Sequence, residues 1–131
     1  ERLKKILPSE NNSVAIFVAT VGSRIFEITA DLKERGEYLK SHILQSLALS
    51  LAEALSEYLH REILLEWGDS NDSSSTSEKL RLSPGHAKSF NLELQKEIFE
   101  LLEPEQHIGV SLSSNMVMSP VASVSALVFR L

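Results

Sequence analysis

The stretch Arg81-Leu82-Ser83-Pro84-Gly85-His86 brings together residue types suited to holding an anion. The planar guanidinium of Arg81 matches a carboxylate through two parallel hydrogen bonds. Pro84 fixes one backbone torsion and Gly85 permits a conformation closed to other residues, so such a turn exposes backbone groups at its ends. Turns beside an arginine are also common as plain structural loops, and this spacing alone does not separate the two uses.

A second constellation is acidic. Glu53, Glu57 and His60 form a stripe at helical spacing and include one Glu-x-x-His pair. Di-iron bundles need such a pair from each of two helices plus two further glutamates, and no second pair occurs here. Glu57 also precedes Arg61 by four residues, the spacing of an ordinary helical ion pair. Glu53 interrupts a very apolar helical turn, so it is read either as a solvated position or as a carboxylate lining a pocket. His42 and His60 would lie about 27 Å apart along one helix and cannot share an ion. No metal site is expected. No Gly-x-Ser-x-Gly elbow, Gly-x-Gly-x-x-Gly turn or Walker loop is present.

The whole chain narrows the choices. Its 131 residues suffice for one compact domain with its own core, spanning 1–131. The absence of cysteine removes disulfides, thiol catalysis and Cys-ligated zinc. A net charge of −5 argues against a nucleic-acid binder, which needs cations for phosphates. No apolar run approaches the roughly 20 residues of a membrane span, so a cytoplasmic location is expected.

The elements that must position these residues follow from periodicity. Residues 1–12 read as a lead ending in a turn, and Ser13–Thr20 as a strand buried on both faces. Gly22 stops that strand, Ser23 is placed to cap a helix over about Arg24–Glu34, and Gly36 ends it. Ile25, Ile28 and Leu32 mark the inner face of that helix. A long helix is expected from about Glu37 to Trp67, with leucines every four residues. It is apolar nearly all round at Leu47–Leu55 and is therefore expected to run through the core. Residues 68–77 read as a surface loop. A shorter helix follows over about Asn91–Glu103, with Leu94, Ile98, Leu101 and Leu102 inward and Pro104 ending it. Short strands near Val110–Leu112 and Met116–Met118 precede a last strand from Ala122 covered on both faces. The expected fold is α+β, an antiparallel sheet packed with a long central helix and shorter helices.

Leu51-Ala-Glu-Ala-Leu-Ser-Glu-Tyr-Leu-His60, Trp67-Gly68, Arg81-Leu-Ser-Pro-Gly-His86, Ile98-Phe-Glu-Leu-Leu-Glu103, His107, Gly109 and Ala122-Ser-Val-Ser125 occur in family order. Together they resemble the activation domain of cobalamin-dependent methionine synthase. The resemblance covers roughly residues 15–129. It implies a module that holds S-adenosylmethionine over cobalamin for reductive remethylation, with the electron coming from flavodoxin or an equivalent donor. Arg81 would then bind the donor's carboxylate, Ser83, Gly85 and His86 would line its site, and Glu53 would help organise a cationic ligand. The family turn ends Gly-Tyr where this chain has Gly85-His86. Counterparts of the family's N-terminal acidic segment and late tyrosines are missing, which implies weak or partner-dependent donor binding. No Asp-x-His-x-x-Gly occurs, so cobalamin would come only through a partner, the cobalamin-binding domain or subunit of methionine synthase. The alternative is a docking module of the same fold that no longer binds the donor.

Overall fold

The computed structural model describes residues 13–68, 81–84 and 92–130. Strand β1 (Ser13–Thr20) is followed by helix α1 (Arg24–Glu34) and the 29-residue helix α2 (Tyr38–Glu66). The short strand β2 (Arg81–Leu82) precedes α3 (Glu93–Leu102) and α4 (Pro104–Ile108). A two-residue hairpin, β3 (Ser111–Leu112) and β4 (Met118–Ser119), leads into β5 (Ser123–Arg130). This is the expected α+β architecture.

The eight-residue apolar runs at the two ends of the described chain pair with each other. The main sheet has the order β1-β5-β2, antiparallel throughout. Directly opposed residues share a sheet face, so the register assigns every side chain. Val14, Ile16 and Val18 stand opposite Phe129, Leu127 and Ser125, and Leu82 stands opposite Leu127. That face meets α3, where Leu94 and Ile98 join Leu82, Leu127 and Phe129 in one buried cluster. The other face carries Ala15, Phe17 and Ala19 opposite Val128, Ala126 and Val124, with Arg81 opposite Val128. Helix α2 covers that side. Central strand β5 is consequently buried from Ser123 to Phe129, as expected of a strand covered on both faces.

Helix α2 departs from the expected role. Its leucine-rich stretch does not run through the core. The buried residues of α2 are Ser41, Ala48, Ala52 and Ser56, and these small side chains let the helix sit close against the alanine-lined sheet face and α1. Ser41 is fully buried and donates a hydrogen bond of 2.9 Å to the Thr29 carbonyl of α1. Leu39, Ile43, Leu47 and Leu51 face outward, with Leu47 61% and Leu51 54% exposed. A helix only one layer thick against the sheet buries one face, however apolar the other may be.

Helix ends explain further differences. Ser23 adopts a helical conformation and makes no side-chain capping bond; its carbonyl accepts from Phe26 N–H at 2.9 Å. Thr20 contributes instead, its Oγ1 accepting from Gly22 N–H at 3.0 Å. Thr29, rather than Ile28, completes the inner face of α1. The C-terminus of α1 closes as expected at Gly36, whose φ of +77° is left-handed. Glu37 N–H bonds to Leu32 O and Gly36 N–H to Lys33 O, the paired closure that a glycine at this position allows. Helix α3 ends at Glu103, which is itself left-handed. Pro104 then starts α4, where its missing N–H costs no hydrogen bond. Leu101 is 63% exposed rather than inward, and Gln95 takes the buried position beside Leu94. The lead at 1–12 and the loop at 69–77 lie outside the described residues.

Candidate functional site

Arg81 lies on β2, at the edge of the main sheet, and its side chain projects to the face covered by α2. There its Nη1 donates to Ser56 Oγ at 3.1 Å and lies 3.1 Å from Glu57 Oε2. Ser56 is fully buried, so the contact is made in the seam between edge strand and helix. The Arg81 side chain is 23% exposed and that of Glu57 69%. The guanidinium is thus fixed by a neutral hydroxyl on its inner side and a solvated carboxylate on its outer side. Such a fixed fork has already lost much of its side-chain entropy, which favours recognition of a second planar anion.

Local sequence explains the placement. Leu82 faces the α3 cluster and pins β2 to β5 opposite Leu127, and strand alternation then forces Arg81 to the opposite face. On α2, Ser56 continues the small-residue face made by Ala48 and Ala52. A larger residue at 56 would fill the space that the guanidinium enters.

The five sequence-derived site residues fare differently. Arg81 and Ser83 are described, and both are half-buried. Gly85 and His86 lie outside the described residues. Glu53 is exposed on α2, one helical turn before Glu57. Ser56 and Glu57 were missed as partners of Arg81. The spacing Glu57–Arg61 pointed to a local ion pair, whereas the Glu57 carboxylate pairs across the fold with Arg81. Only the tertiary approach of β2 to α2 distinguishes these outcomes. The i, i+3, i+4 relation of Glu53, Ser56 and Glu57 was the available signal, because it places all three on neighbouring parts of the helix surface.

Two other features complete the description. A cavity of about 260 Å³ lies between α1, α2 and the entry to β5, lined by Phe26, Thr29, Lys33, Gln45, Ala48 and Val121 among others. It is well removed from Arg81, being centred two to three turns earlier on α2, and its walls are mainly apolar. Among the described residues, no group of three His, Asp or Glu side chains is placed to hold a metal ion. No helix among them is long and apolar enough to cross a membrane.

Fold and site define a class: a short antiparallel sheet with helices on both faces and a helix-anchored arginine at its edge. Comparison with known proteins sharpens it. The family model described as vitamin B12 dependent methionine synthase, activation domain, matches residues 5–131. The chain belongs to this activation-domain family. It is 30% identical over 127 aligned residues to methionine synthase of Mycobacterium tuberculosis (strain ATCC 25618 / H37Rv), an alignment covering 86% of this chain and 11% of that protein. It also matches a solved structure described as the MetH reactivation domain bound to AdoHcy. That match has a TM-score of 0.79 and 28% identity, and covers 88% of this chain and 38% of the other. The chain therefore spans only a small part of these relatives.

Proposed function

We propose that this chain binds S-adenosylmethionine and positions it for reductive remethylation of cobalamin in a methionine synthase. The observation that carries the reading is the anchored Arg81 at the edge of a fold shared with a reactivation domain whose structure was solved with AdoHcy. Arg81 would take the donor's α-carboxylate. The adjacent Glu57 makes the pair complementary to an amino-acid zwitterion, with a carboxylate available to the α-ammonium. Glu53, one turn away, would add negative potential for the sulfonium. Ser83, Gly85 and His86 would line the remainder of the site.

The chemistry of this chain is then positioning rather than acid–base catalysis. Cobalamin, held by a cobalamin-binding domain or subunit of methionine synthase, would supply the cobalt that accepts the methyl group. The donor would leave as S-adenosylhomocysteine, and the electron that restores the cobalt would come from flavodoxin or another reductant. On this reading the activity would belong to the cytoplasm.

Calorimetric titration of S-adenosylmethionine, with and without a cobalamin-binding domain, tests the reading. Saturable binding that Arg81→Ala weakens by about 1.5–3 kcal/mol is expected, the loss typical of one charged hydrogen-bonded contact. Absence of binding in both titrations would overturn it. A second reading, a docking module without donor binding, draws on the fact that Glu57 already pairs with Arg81. It expects association with the cobalamin-binding domain that is indifferent to added S-adenosylmethionine.

A further inference from the structure

The outward face of α2 carries its own pattern. Leu44, Leu47, Leu51, Ala54 and Tyr58 recur at alternating three- and four-residue intervals, and all but half-buried Leu44 are exposed. This is the a/d spacing of a coiled-coil seam, which winds slowly enough to stay on one side of a helix. The inner face of α2 is already satisfied by the sheet and α1, so the seam lies on the side turned away from the fold. Two exposed cations, Lys40 and Arg61, continue the same spacing at either end of the seam.

Those end charges choose an occupant. A parallel copy would oppose Lys40 to Lys40 and Arg61 to Arg61, like charges in the seam itself. An antiparallel copy related by a two-fold axis near residue 49 does the reverse. Leu47 then faces Leu51, and Leu44 faces the smaller Ala54. Lys40, which pairs with Glu37 of its own chain, meets the ring of Tyr58, and Glu37 stands opposite Arg61. Large side chains meet small ones, and cations meet a ring face or a carboxylate. The pattern is self-complementary, which is the requirement of an isologous interface.

We propose that the α2 face bearing Leu47 and Leu51 is an interaction surface for a second copy of this chain, paired antiparallel about a two-fold axis. This reading is independent of donor binding at Arg81, since the seam and the Arg81 contact use different sides of α2.

Sedimentation of the whole chain over a wide concentration range provides the test. A reversible monomer–dimer equilibrium is expected. Leu51→Glu should raise the dissociation constant about tenfold or more, with the circular dichroism spectrum unchanged. Arg61→Glu should weaken the dimer, and Glu37→Lys combined with Arg61→Glu should restore part of the loss. Because the native chain has no cysteine, Leu47→Cys and Leu51→Cys variants report the register. Oxidation of a mixture should form the mixed disulfide in preference to either symmetric one. A monomer at every concentration would overturn the proposal. So would a dimer insensitive to Leu51→Glu, or preferential symmetric cross-linking.

Discussion

Nη1 of Arg81 lies 3.1 Å from Glu57 Oε2, joining an edge strand to the middle of the longest helix. The same nitrogen donates to buried Ser56, so two consecutive residues of α2 hold one guanidinium. The arrangement neutralises the cation without burying it completely and leaves the carboxylate largely in solvent. It also makes donor recognition testable atom by atom.

If the α-carboxylate of S-adenosylmethionine docks on Arg81, the loss caused by Arg81→Ala should depend on the ligand. Titration should show a loss of about 1.5–3 kcal/mol against S-adenosylmethionine. Against the decarboxylated analogue, which has no carboxylate to offer, the same substitution should cost little. Arg81→Lys should behave nearly like Arg81→Ala, because an ammonium keeps the charge but not the planar fork. Equal losses against both ligands would remove Arg81 from carboxylate recognition.

The small inner face of α2 should be intolerant of added volume. Ala52 is 1% exposed, so Ala52→Leu should destabilise the fold by about 1–3 kcal/mol, the usual cost of overpacking. Leu47→Ala on the outer face should change the stability of the monomer by no more than about 0.5 kcal/mol. Urea unfolding at a concentration below any self-association compares the two. A reversed ranking would show that the leucine face is the buried one.

Helix α3 offers the same contrast in the opposite sense. Ile98 is fully buried in the cluster with Leu82, Leu127 and Phe129, and Ile98→Ala should cost about 2–5 kcal/mol. Leu101→Ala, three residues on, should cost under about 1 kcal/mol because most of that side chain is already in water. Thermal unfolding of the two variants distinguishes them directly.

Glu37 supplies a pH dependence. Its carboxylate accepts a hydrogen bond from Lys40 and feels the charges of Lys40 and Arg35, which hold its pKa below the ordinary value. A carboxyl with a depressed folded-state pKa stabilises the fold above its unfolded pKa, and that contribution disappears as pH falls through the folded value. Glu37→Gln should therefore lower stability at neutral pH, with the difference from the parent shrinking on acidification. Urea midpoints measured along that pH range would reveal the convergence, and a constant difference would refute it.

Much of this molecule is legible in its residues. The apolar β-branched run at Ser13–Thr20, the helix at Arg24–Glu34 with its stop at Gly36, and the extent of the long helix depend on local chemistry: side-chain alternation, helical periodicity and glycine's access to left-handed backbone. The α+β class follows from the order of those elements, and the anion-binding chemistry of Arg81 from its residue type. Tertiary structure decided the rest. Periodicity identified α2 as apolar but could not say which of its faces meets the sheet, since that depends on whether leucines or small residues allow the closer approach. The alanine-lined sheet favoured Ala48, Ala52 and Ser56. The same approach turned Glu57 from a neighbour along its own helix to Arg81 across the fold. Local spacing determines what a residue can reach along its own element, whereas its partner is chosen by which other element arrives beside it.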